Sequence, residues 1–112
     1  MQNRNHIIKL FVGNLYNSIV HSILEKAINI NEIKSKYSKE FKTSFEKAEF
    51  YRQKINPVDT PLPLKDMQII REIIINRVKV ELNSRVLRGY KNIDFSLIEP
   101  TVDNFLKKMN VR

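Results

Sequence analysis

The stretch Lys65-Asp66-Met67-Gln68-Ile69-Ile70-Arg71-Glu72-Ile73-Ile74-Ile75-Asn76-Arg77-Val78-Lys79-Val80-Glu81-Leu82-Asn83-Ser84-Arg85-Val86-Leu87-Arg88-Gly89 decides the fold. It has no strand-type alternation, and Gly89 follows as a helix C-cap signal. On a 3.6-residue period its apolar residues fall into two sectors. Met67, Ile74, Ile75, Val78, Leu82 and Val86 form one, with Ile70 near its edge, while Ile69, Ile73, Val80 and Leu87 lie almost opposite. A helix apolar on two sides asks for neighbours on two sides, so the expectation is a central helix over 65–88. Arg71 and Arg85 project into the wider sector, where they either snorkel past its rim or meet a carboxylate from a partner.

Two further long helices precede it. From Lys9 to Ile30, Val12, Leu15, Tyr16, Ile19, Val20, Ile23, Leu24, Ala27 and Ile30 recur at three- and four-residue steps. The opposite face is Asn14, Asn17, Ser18, His21, Ser22, Glu25 and Asn29, with a single charge. That face reads either as solvated or as covered by another subunit, and Asn14, Asn17, Ser18 and His21 are the interface candidates. From Glu32 to Ile55, with Asn31 as N-cap, the stripe Ile33, Tyr37, Phe41, Phe45, Ala48, Tyr51 and Ile55 predicts a second helix that Pro57 ends. Its aromatic residues are expected in the core.

Pro57, Pro61 and Pro63 make 57–64 a stiff connector within one domain, 1–112, because neither flank is large enough for a core of its own. Pro100 suits the first position of a short last helix, with Val102, Phe105, Leu106 and Met109 inward. The expected fold is all-α: a small helical bundle of three long helices and one short C-terminal helix, completed by a partner or a second copy.

Composition removes many chemistries. The chain has 112 residues, no Cys and two Gly, so disulfides, thiol nucleophiles, Cys-based metal sites and glycine-rich phosphate loops are excluded. The two His lack metal-ligand spacing, His6 sits near a fraying end, and no carboxylate pair suggests acid–base work. The expectation is a non-enzyme with no cofactor and no metal. The longest apolar run, Ile73-Ile74-Ile75, is far shorter than the roughly 20 residues of a membrane span. With no signal-peptide pattern, the expected setting is intracellular, cytoplasmic or nuclear, or a host cell if the chain is viral.

Charge points to a partner. The chain carries 20 Lys+Arg against 12 Asp+Glu, a net +8, which favours polyanions. The excess lies in residues 1–91 and is absent from the tail. Lys36, Lys39, Lys42, Arg52, Lys54, Arg77, Arg85, Arg88 and Lys91 are the candidate phosphate-binding residues. No helix-turn-helix pattern appears, so contact with phosphates is expected rather than base reading.

Two local resemblances point the same way. Lys9-Leu10-Phe11-Val12-Gly13-Asn14-Leu15 with Pro61-Leu62-Pro63-Leu64-Lys65-Asp66-Met67 resembles the central and last helices of a histone-fold subunit of general transcription factor TFIID. Here a whole helix separates the two pieces, and no first histone-fold helix precedes them. Ile70-Arg71-Glu72-Ile73 through Arg85-Val86-Leu87-Arg88 is similar to the helix of GINS replication subunits that ends in alternating Arg and apolar residues. Each covers under a third of the chain, and neither transfers a functional residue. The expected role is a non-catalytic helical nucleic-acid-binding protein or accessory subunit of a replication or transcription complex. The alternative is a protein-interaction or oligomerisation module, a homodimer or a partner subunit, with no direct nucleic-acid contact.

Overall fold

A computed structural model describes residues 4–27, 31–56 and 60–109. They form α1 (Arg4–Ala27), α2 (Asn31–Ile55), α3 (Leu64–Leu87), a single 3-10 turn (Phe95–Leu97) and α4 (Ile98–Lys108). The all-α expectation holds, and no strand occurs among the described residues. The helices run up, down, up and down in a bundle of 41 × 23 × 22 Å. Arg4 reaches Asp66 at 2.6 Å, which joins the starts of α1 and α3. The Tyr37 and Tyr90 hydroxyls meet at 2.9 Å, which sets the start of α2 beside the end of α3.

The centre of this bundle is α1. Phe11, Val12, Leu15, Ser18, Ile19, Val20, Ile23 and Leu24 are all buried, and α2, α3 and α4 all pack against it. The helix begins five residues before the expected Lys9 and includes the exposed His6. By length and composition α1 is apolar enough to cross a bilayer, which corrects the expectation that no segment is. Its apolar residues nonetheless form the core of the bundle, as those of a soluble core helix do.

The expectation that α3 is the central helix is also corrected, since within one chain only one of its apolar sides is covered. Ile70, Ile74, Ile75, Val78 and Leu82 are buried, but Ile69, Ile73, Val80 and Leu87 are exposed, Val80 at 69% and Leu87 at 88%. Four helices offer α3 only one covered side. From the wider sector, Val86 is exposed as well. Arg71 and Arg85, in contrast, are satisfied within the chain. Arg71 grips Asp103 of α4 through Nε at 2.8 Å and Nη2 at 3.3 Å, while Arg85 Nε donates to Glu81 at 2.8 Å.

Along α2 the expected stripe packs inward, except that Ile33 is exposed. Phe41 and Phe45 stack at 5.8 Å, and both meet the edge of Phe105 from α4 at 5.7 and 5.8 Å, an arrangement favoured by the ring quadrupole. Phe50 departs from the core expectation: it is 55% exposed, with the Lys54 ammonium 4.7 Å above its ring. Of the connector, residues 57–59 lie outside the described residues, and Leu62 is buried in the core.

Candidate nucleic-acid interface

The end of α3 positions the site. Arg88 caps the helix, and Gly89 adopts φ 101°, a left-handed conformation that costs glycine little. Tyr90 N–H then bonds Arg85 O at 3.0 Å and Gly89 N–H bonds Val86 O at 3.0 Å, the paired bonds of a Schellman ending. This turn folds Tyr90 back over its own helix. Arg85 Nη1 donates to Tyr90 Oη at 3.2 Å, and the guanidinium sits 5.3 Å from the ring centroid. Burial and the bond to Tyr90 push the Tyr37 hydroxyl up to about 12. The bond from Tyr37, with help from Arg85, holds Tyr90 below its ordinary value. Either hydroxyl can donate across the pair.

This latch gathers part of the predicted set. Lys36 is adjacent to Tyr37, and Arg88 and Lys91 flank Tyr90, so all three exposed cations lie at one pole of the bundle. Arg85 lies there too, with its charge committed to Glu81. Lys39 and Lys42 follow along the exposed side of α2. Two cations that the sequence reading missed complete the pole: Lys26 in the last turn of α1 and Lys34 at the start of α2, both exposed. The short α1–α2 connection was the available signal, since it holds those ends together. Glu25 is half-buried on the same last turn of α1. Cations in the final turns of α1 and α3 also offset the negative ends of those helix dipoles.

The remaining candidates lie elsewhere. Arg77, midway along α3, has its guanidinium 4.4 Å over the Tyr16 ring. Lys54 stands at the opposite end of α2, about 27 Å along the helix from Lys36. Arg52 is 1% exposed and presents no cation to an outside phosphate. Its Nε donates to Met109 O at 2.7 Å, Nη1 to Asn56 Oδ1 at 2.6 Å and Nη2 to Thr60 O at 2.9 Å. Burial lowers its guanidinium below the ordinary value, yet it remains a cation in any ordinary buffer. Its work is to tie the ends of α2 and α4 to the connector. The nine predicted cations do not make one patch.

The polar side of α1 faces α2 of the same chain. Ser18 is fully buried and donates to Phe41 O at 3.2 Å. His21 Nε2 lies 2.9 Å from Glu40 Oε2, and the ring stacks on Tyr37 at 5.6 Å. Burial lowers the imidazole below its ordinary value and outweighs the upward pull of Glu40. Its Nδ1 is buried with no hydrogen-bond partner. Asn14 Nδ2 bonds Leu10 O at 2.8 Å, and Asn17 is exposed. Ser18 and His21 are thus engaged by α2 itself, on the side that suggested a second subunit.

Searches against protein-family models, curated proteins and solved structures find no match. The two local resemblances rest on their own residues: the first divides between α1 and the start of α3, and the second lies within α3 and its cap. Among the described residues no group of three His, Asp or Glu is placed to hold a metal ion.

Proposed function

We propose that this chain is a non-catalytic helical subunit that binds nucleic-acid phosphates through the pole around Tyr37 and Tyr90. One observation carries this reading: Lys26, Lys34, Lys36, Arg88 and Lys91 are exposed on three helix ends and a turn that the tyrosine latch holds together. Of the carboxylates nearby, Glu81 is paired with Arg85 and Glu40 lies against His21. A cluster of cations with few free carboxylates near it suits a phosphate backbone, whose condensed counterions are released on contact. Base reading is no part of the proposal, which rests on cations that would meet phosphates.

The test is a fluorescence-anisotropy titration of labelled duplex and single-stranded DNA and RNA at about 50 mM salt, repeated as salt is raised. Five phosphate contacts would give a log–log salt slope of about −4.5 on duplex. The triple variant K36E/R88E/K91E should weaken binding at least about tenfold, whereas K107E/K108E at the other end should not. Absence of binding at 50 mM salt overturns the proposal.

A second reading is favoured by a different observation, the exposed apolar sector of α3. It makes the chain an oligomerisation or protein-interaction module, completed by a second copy or another subunit.

A further inference from the structure

The uncovered sector of α3 has a regular pattern. Ile69, Ile73, Asn76, Val80, Asn83 and Leu87 follow at steps of four, three, four, three and four, and all six are exposed. That is the a/d spacing of a coiled-coil seam, with Ile73, Val80 and Leu87 at a and Ile69, Asn76 and Asn83 at d. Glu72 then takes a g position and Arg77 an e position. Neither has an ion-pair partner among the described residues. A groove of about 260 Å³, lined by Tyr16, Asn76, Arg77, Val80 and Glu81, runs beside the seam and is wide enough for an incoming side chain.

We infer that the occupant of this face is a second copy of the same chain, its α3 parallel and in register with the first. This deepens the oligomerisation reading and does not depend on nucleic-acid binding. Charge and polarity select the orientation. In the parallel pair, each Glu72 faces Arg77 of the other copy, the g-to-e pairing that stabilises parallel seams. Asn76 meets Asn76 and Asn83 meets Asn83, so amide pairs with amide, and the isoleucine, valine and leucine layers match likewise. Reversing the second copy with the seam ends aligned sets Asn76 against Val80 and Ile73 against Asn83. It also brings the two Arg77 side chains together at the two-fold axis. That arrangement leaves amides without partners and opposes like charges. A parallel two-fold axis lies along the bundle, so the two basic poles point the same way.

The absence of Cys allows a direct test on the full chain. Sedimentation at about 100 μM should give twice the 13.3 kDa chain mass. V80E should raise the dimer dissociation constant at least about 100-fold and leave the far-ultraviolet circular dichroism unchanged, because Val80 is already exposed. On mild oxidation L87C should form a disulfide-linked homodimer. In a reversed pair the two 87 positions would stand about 27 Å apart, beyond disulfide reach. A monomer overturns both the inference and self-association, whereas a dimer insensitive to V80E overturns this surface and leaves oligomerisation standing. Cross-linking between I69C and L87C chains, with no L87C homodimer, overturns the parallel orientation alone.

Discussion

Helices α1 and α3 have the same length, 24 residues, and comparable stocks of isoleucine, leucine and valine, yet the bundle treats them oppositely. The polar side of α1 is covered in part, with Ser18 and His21 closed over by α2. The second apolar side of α3 is open to solvent. Apolarity around a helix shows which faces gain from cover, whereas connectivity decides which faces receive it. The link at 28–30 is too short for anything but an antiparallel α1–α2 pair, so α2 lies on whatever side α1 presents. α4, at 11 residues, is too short to wrap a second side of α3.

The sharpest way to break this comparison is to truncate one residue on each helix. Leu15→Ala in α1 removes a fully buried side chain and should cost about 3 kcal/mol in urea denaturation. If the loss were under about 1 kcal/mol, α1 would not be the centre. The Arg52 clasp ranks next. Arg52→Ala strands the carbonyls of Met109 and Thr60 and should cost about 2 kcal/mol. Lysine in its place should restore only part of that, because it lacks the planar fork. Tyr37→Phe breaks the latch to Tyr90 and should cost about 1 kcal/mol. It should also speed amide exchange at Tyr90, whose N–H closes the end of α3.

Val80→Ser, the α3 counterpart of the Leu15 truncation, should change the stability of the isolated chain by less than about 0.5 kcal/mol. The last effect is a pH dependence. The folded-state pKa of His21 is lowered, so the unfolded chain binds the proton more readily than the folded one. This contribution is fully present above the unfolded value of about 6.5 and is lost as pH falls through the folded value. Denaturation midpoints should drop as pH falls below about 6.5, and His21→Gln should flatten that dependence. An unchanged slope in the variant would remove His21 as its source.

Helix number and approximate extent were legible because apolar period and proline placement act locally. Ile55 ends α2 just before Pro57, and Gly89 closes α3, both as the residue types require. Partnership between helices was not legible, since it depends on the whole topology. Lys36 and Lys91 look unrelated until α2 is known to run antiparallel to α3. Arg52 was the clearest missed signal. It stands four residues after Ala48 and three before Ile55, on the inward stripe itself, and its charge concealed that register. The 3-10 turn at 95–97 is shorter than any period and rests on Asp94 accepting from Ser96 N–H at 3.0 Å, a local side-chain preference rather than a pattern.

The Arg52 clasp also bears on how the chain is made. Its acceptors include the carbonyl of Met109, and the Phe41–Phe45 stack is roofed by Phe105. While the chain emerges from the ribosome, α1 to α3 are complete for some time with that aromatic pair and a guanidinium uncovered. Synthesis at roughly 5–20 residues per second makes that interval last seconds. Closure is then a late event, completed only when α4 arrives, and any chain interrupted before residue 98 would carry an open, sticky seam that protein quality control can recognise.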